Sequence, residues 1–248
     1  KYAYNLRSFL GLTNGKTTNA YRLINAEGDN LPGLIIDIYG ETAVIHAHST
    51  GMKNAKKETV SALIKVFTNS LKCIYFKNLS SSGHLSAGEY LLGNNASGVI
   101  TENDHLFHVD WEQGQKTGFY IDQRENRKLF SRFVKNKTVL NAFCYTGGFS
   151  VYALKEGASL VDSVDSSEKA ISWADKNTAL NCPYTGDHKS HVDDVMDHLQ
   201  KTKQYYDVIV IDPPAFAKHK SARHNAIQGY KKLTIAAIAR LNKNGILF

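Results

Sequence analysis

The chain has 248 residues, 42% hydrophobic and 21% charged, with a formal net charge of +7. That length suits one large or two modest domains, and the composition is that of a globular chain, which excludes fibrous and disordered classes. No apolar run nears the roughly 20 residues of a membrane span. The start KYAYNLRSFL shows no leader pattern, and Cys73, Cys144 and Cys182 show no C-x-x-C spacing, so no disulfide framework or zinc site is indicated and the cytoplasm is expected.

Tyr4, Leu6, Phe9 and Leu10 fall at helical spacing and read as the exit helix of a preceding domain, over residues 1–18. A second unit, residues 19–112, opens with a strand at Tyr21–Ile24 and a turn through Gly28-Asp29-Asn30-Leu31-Pro32-Gly33. A hairpin follows, Leu34–Tyr39 and Thr42–His48 over Gly40-Glu41. Val60, Leu63, Ile64 and Phe67 predict an amphipathic helix within Asn54–Asn69, and Cys73–Lys77 a strand. Leu79–Gly98, rich in Ser, Gly and Asn, reads as a loop, and Val99–Glu102 with His105–Trp111 as a closing hairpin. This is a small α+β domain without a cofactor motif. Its histidines His46, His48, His105 and His108 are expected on solvent-facing strand positions rather than on a metal.

Residues 113–248 form the third unit. Gln115–Arg127 contains Lys116-Thr117-Gly118-Phe119-Tyr120, and Asp122 is expected to cap a helix from Gln123 to Val134 that buries Leu129, Phe130 and Phe133. Its capped end would overhang a ligand, with Thr117 and Arg124 available to a carboxylate. Thr138–Phe143 is an apolar run of strand length. The turn Tyr145-Thr146-Gly147-Gly148 and the helical spacing of Phe149, Val151, Tyr152 and Leu154 follow it. Strand, glycine turn and helix start make the first βα unit of a nucleotide-binding sheet, with Gly147 and Gly148 permitting close backbone approach.

A second strand, Leu160–Val164, ends in Asp165, placed to hold a ribose diol. After the helix Ala170–Asn181, Asp193 at the next strand edge could accept from an adenine amine while Asp194 caps Val195–Leu199. A further strand, Tyr206–Ile211, runs into Asp212-Pro213-Pro214. The turn lacks the G-x-G-x-x-G spacing by which a dinucleotide pyrophosphate is admitted. The residues therefore favour S-adenosylmethionine (SAM) and leave a dinucleotide as the alternative.

The charge is uneven. From Lys201 onward, Lys201, Lys203, Lys218, Lys220, Arg223, Lys231, Lys232, Arg240 and Lys243 stand against only Asp207 and Asp212, which accounts for the whole excess of +7. A solvated face is one reading. A surface for a polyanion such as RNA is the other.

With YRLINAEGDNLPGLIIDIYG, KTGFYIDQRENR, VLNAFCYTGGFSVYAL, VDSVDSSEKAISWADKN and YDVIVIDPPAFAK in order, the chain resembles the large-subunit ribosomal RNA cytosine-5 methyltransferases from about Tyr21 to Gly245. The resemblance implies a Rossmann-like class I SAM-dependent methyltransferase domain, preceded by the small α+β domain and, in the family, by an N-terminal PUA domain. It implies SAM as cofactor, held by Thr117, Arg124, Phe143, Tyr145, Gly147, Asp165, Ser166, Asp193 and Asp212. Large-subunit ribosomal RNA is the implied partner, and a homodimer stays open as the assembly.

In that family a cysteine thiolate adds to C6 of cytosine so that C5 can attack the sulfonium methyl. Asp212 matches the catalytic acid that contacts the base. Pro213 and Pro214 would leave backbone carbonyls aimed at the base, and Phe216 would stack on it. Lys218, Lys220 and Arg223 would meet phosphates. The Ser-Cys-Ser nucleophile motif is expected beyond Phe248, with Cys144 a packed residue on the cofactor side. Alternatives are a ribosomal RNA guanine methyltransferase, a non-catalytic RNA-binding module and, third, a dehydrogenase.

Overall fold

Two apolar runs, Leu34–Tyr39 and Thr42–Ala47, meet over Gly40-Glu41 and seed the sheet of the N-terminal half in the computed structural model. The structure describes residues 1–13, 15–68, 70–78, 88–182, 187–217 and 222–248. The chain divides into two units, Lys1–Arg124 and Glu125–Phe248. Residues 113–124 thus lie in the first unit, ahead of the division, because Thr117 is bonded to Asp37 and Tyr39 there.

The first unit runs α1 (Tyr2–Phe9), β1 (Ala20–Asn25), β2 (Leu34–Tyr39), β3 (Thr42–Ala47), α2 (Thr50–Asn54), α3 (Lys56–Phe67), β4 (Cys73–Lys77), β5 (Glu89–Leu92), β6 (Ser97–Glu102) and β7 (His105–Asp110). Strands β1 to β5 form one sheet in sequence order, and β6 and β7 a separate antiparallel pair. Ser49 caps α2 by accepting the Met52 N–H. Ala3, Leu23, Ile36, Ile45, Leu63, Ile74 and Phe76 belong to the core.

The helix read from Tyr4, Leu6, Phe9 and Leu10 forms as α1, which buries Ala3 and Arg7, whose guanidinium pairs with Asp29, while Phe9 is 88% exposed. Three expectations are corrected here. The supposed loop contains β5, a four-residue edge strand too short for a periodicity signal, which pairs with β4 and sets Tyr90 4.9 Å from Tyr75. It stops at Gly93, where φ is +65° and a Cβ would fall 2.3 Å from the Lys72 carbonyl oxygen. His46 and His105 are buried rather than solvent-facing. Every residue of β3 is buried, so this strand has no solvent face.

The division falls one residue into α4 (Arg124–Phe130), so the second unit begins at Glu125; the helix follows a 3-10 turn at Ile121–Gln123. No side chain caps that turn; Asp122 instead pairs with Lys116. The helical stretch buries Arg127, Phe130 and Val134, leaving Leu129 44% and Phe133 41% exposed. A switch to 3-10 geometry at Ser131–Phe133 rotates the later residues out of the α-helical phase.

Then come β8 (Thr138–Ala142), α5 (Gly148–Lys155), β9 (Leu160–Asp165), α6 (Glu168–Asn181), β10 (His188–Val192), α7 (Val195–Lys201), β11 (Tyr206–Ile211), α8 (Arg223–Ile238) and β12 (Leu241–Leu247). The sheet is parallel throughout, in the order β10-β9-β8-β11-β12.

Alternation along the strands feeds two cores. Val139, Val161, Val208 and Val210 pack with Phe130, Phe149 and Leu154 on one face. Leu140, Val164, Tyr206 and Ile209 pack with Val195, Leu199, Leu233 and Ala237 on the other. Chain order runs outward from β8 to β10, then restarts across β8 at β11. That reversal makes the C-terminal ends of β8 and β11 the switch point where doubly wound sheets hold ligands.

Candidate cofactor and substrate site

Strand β8 ends at Ala142, one residue short of the expected end, because Phe143 already lies in the left-handed region at φ +59°. Tyr145 at +47° and Gly147 at +73° follow, so three of five residues adopt a conformation that non-glycine residues rarely take. The turn is held from several sides. The Cys144 N–H donates to the Val164 carbonyl at 3.0 Å, and the Tyr145 N–H to Asp165 Oδ2 at 3.0 Å. Asn177 on α6 donates to the Thr146 carbonyl at 2.8 Å.

Gly147 serves this packing: an added Cβ would sit 3.0 Å from Ala174, and its amide already donates to the Cys144 carbonyl at 2.8 Å. The close approach expected for a ligand is thus made by helix α6. Gly148 similarly meets the Arg127 side chain.

Asp165 stands half-buried at the end of β9, its other oxygen accepting the Ser167 N–H at 2.9 Å. Ser166 beside it is exposed. Asp193 follows β10; its N–H donates to the Asp165 carbonyl at 3.1 Å and its carboxylate lies 4.0 Å from His198 Nδ1. Asp194 is the cap of α7, accepting from Met196 and Asp197 at 2.8 and 3.1 Å, as the spacing predicts.

Asp212 emerges exposed after β11, with Pro213 half-buried and Pro214 exposed beside it. Asp193 and Asp165 therefore leave the adjacent ends of β10 and β9, and Asp212 the end of β11 on the other side of β8, along one edge of the sheet that also holds the left-handed turn. Phe216 lies against Tyr230 of α8 with ring centroids 4.5 Å apart.

Thr117 and Arg124 belong to the first unit. The Thr117 hydroxyl donates to Asp37 at 2.5 Å and meets the Tyr39 hydroxyl at 2.8 Å. Arg124 donates to the Ala20 carbonyl, and its Nε is 3.5 Å from Glu102. Lys218 and Lys220 lie outside the described residues, while Arg223 is exposed at the start of α8.

Sequence reasoning missed Asp37, Asn177 and Tyr230 as neighbours of these segments. Asp37 carried a signal, an acid inside the apolar run LIIDIY; Asn177 and Tyr230 carried none. Cys144 is buried, and burial, reinforced by the Asp165 charge, raises its thiol well above the usual range. That is the setting of a packed thiol rather than a nucleophile.

The set of acceptors suits a particular ligand. Carboxylates accept from ribose hydroxyls and from an adenine amine, and their negative charge favours a sulfonium over a pyrophosphate. With the Gly147 amide engaged inside the turn, this edge offers little to a dinucleotide.

Residues 78–245 match the S-adenosylmethionine-dependent methyltransferase family. Over 237 residues the chain is 38% identical to ribosomal RNA large subunit methyltransferase I of Shewanella denitrificans, covering 92% of this chain and 59% of the relative. It thus spans about three fifths of the curated relatives it matches. A SAM-dependent methyltransferase structure from Streptococcus mutans superposes with a TM-score of 0.85 at 28% identity, over 99% of this chain and 64% of that one. The crystal structure of a methyltransferase complexed with S-adenosylhomocysteine gives 0.83 at 28%, with the same coverage.

Proposed function

This chain belongs to the S-adenosylmethionine-dependent methyltransferase family, and from that premise we propose that it is the cofactor-binding part of a cytoplasmic enzyme that methylates large-subunit ribosomal RNA at C5 of a cytosine. The carboxylate edge formed by Asp165, Asp193 and Asp212 beside the left-handed turn carries the reading. SAM, when bound, supplies an electrophilic methyl group.

Asp165 accepts the ribose hydroxyls. Asp193 accepts the adenine amine. Phe143, Tyr145, Gly147 and Ser166 shape the floor between them. Asp212, at the switch point, contacts the base and stabilises the positive charge that builds on it. Pro213 and Pro214 fix the turn so that its carbonyls face the base.

In this reading the attacking thiolate comes from elsewhere, since Cys144 is buried on the cofactor side, where burial raises its thiol. The register of β12 supports a source after Phe248: the Ile211 N–H donates to the Phe248 carbonyl at 3.1 Å, so the strand there leads toward Asp212.

Methyl transfer from labelled SAM to ribosomal RNA, followed by nucleoside analysis of RNA modified by the protein extended past Phe248, tests the reading. The expected product is 5-methylcytidine. A methylguanosine would assign the guanine reaction instead, and absence of any transfer would contradict the enzyme reading.

A further inference from the structure

Beyond the Asp212 turn the chain contains no acidic residue up to Phe248, while Lys and Arg recur throughout. Within this stretch two aromatic rings remain open to solvent although they touch each other: Phe216 is 39% exposed and Tyr230 41%, with centroids 4.5 Å apart and planes at 39°. Gly229 makes the contact possible, because a Cβ there would stand 3.0 Å from Phe216 Cδ2. Helix α8 therefore comes close to the turn and covers one side of Phe216. Arg223 lies seven residues before Tyr230, two helical turns away on the same face and also exposed.

We propose that Tyr230 is a second RNA-contacting ring, stacking on a base next to the one held at the Asp212 turn, with Arg223 facing the connecting phosphates. The proposal rests on the RNA-methyltransferase reading and adds a residue and a substrate form to it: single-stranded RNA with unpaired bases. An exposed aromatic pair in an acid-free, basic segment is the pairing of π-surface and positive charge by which single strands are held. A duplex would hide its base faces from both rings.

The test is titration of the chain with a short single-stranded RNA carrying 2-aminopurine at each position in turn, whose fluorescence falls on stacking. Quenching at two adjacent positions is expected, one for each stacked base. Tyr230→Ala should relieve one of them and weaken binding by roughly 5- to 150-fold with the salt slope unchanged, and Tyr230→Phe should restore both. Arg223→Ala should lower the salt slope by about one unit.

Wild-type binding with quenching and affinity unmoved by Tyr230→Ala would overturn the proposal and leave the RNA reading intact. No single-strand binding by the wild type would overturn both. A concentration-dependent dimer that Tyr230→Ala dissolves would assign the rings to a second copy of the chain and likewise overturn it. SAM affinity measured on each variant shows whether the cofactor site is preserved.

Discussion

The backbone N–H of Tyr145 donates to the carboxylate of Asp165 at 3.0 Å, joining the left-handed turn after β8 to the end of β9. One side chain thus closes the turn and, in the proposed reading, is also the acceptor for the ribose. Asp165→Ala should remove charge-assisted hydrogen bonds worth about 2–3 kcal/mol, some 30- to 150-fold in SAM affinity. Asp165→Asn, which keeps an acceptor oxygen, should lose less. Equal losses in calorimetry would assign the whole effect to the negative charge, because the Asn oxygen can still accept the Tyr145 N–H and keep the turn closed.

Asp37 anchors the Lys116–Tyr120 segment. Its buried carboxylate takes two bonds from Arg22 at 2.8 and 3.0 Å and one from Thr117. Asp37→Ala would leave the Thr117 hydroxyl and the Arg22 guanidinium without their shared acceptor, at a cost of about 3 kcal/mol. Urea denaturation should show that loss, with a smaller one for Thr117→Val. A change within a few tenths of a kcal/mol would mean that the network contributes no net stability.

The three thiols should react at different rates. Cys73 and Cys144 are buried and burial raises the pKa of both, whereas Cys182 is half-buried. Native protein treated with iodoacetamide should label Cys182 first, and the other two only on unfolding. Rapid labelling of Cys144 would revive it as a nucleophile.

Acid should destabilise the protein before its carboxylates titrate. Burial, with the neighbouring His48 and Lys77, lowers the His46 pKa from 6.5 to about 4, and burial also lowers His188 and His198. A histidine that stays neutral when folded binds fewer protons than in the unfolded chain. Stability is therefore full above pH 6.5 and falls as pH drops toward 4. His46 alone contributes a slope of up to about 1.4 kcal/mol per pH unit in that window. Urea melts of the wild type and of His46→Phe should differ in slope there. Parallel curves would contradict the assignment.

Part of the second unit was legible because β9 and β11 are largely apolar runs that lead into acids, Asp165 and Asp212. Tyr206–Ile211 has the boundaries its composition predicts, as does Cys73–Lys77 in the first unit, and Asp194 caps its helix. What stayed hidden depends on partners distant in sequence. Gly147 resembles a ligand-approach glycine until Ala174 is seen against it, and Phe133 belongs to an apolar face until the helix tightens after Phe130. His46 reads as a surface residue because nothing local reveals that β3 is covered on both sides. The engagement of Thr117 with Asp37 spans 80 residues of chain, beyond any local pattern.

The central claim is that the strand ends carrying Asp165, Asp193 and Asp212 form a SAM site. Calorimetric titration of the 248-residue chain with SAM and, separately, with NADH tests it most directly. The account predicts SAM binding in the micromolar range or tighter, weakened by Asp165→Ala, with no heat from NADH. Binding of NADH with none of SAM, or SAM affinity indifferent to Asp165, would contradict it.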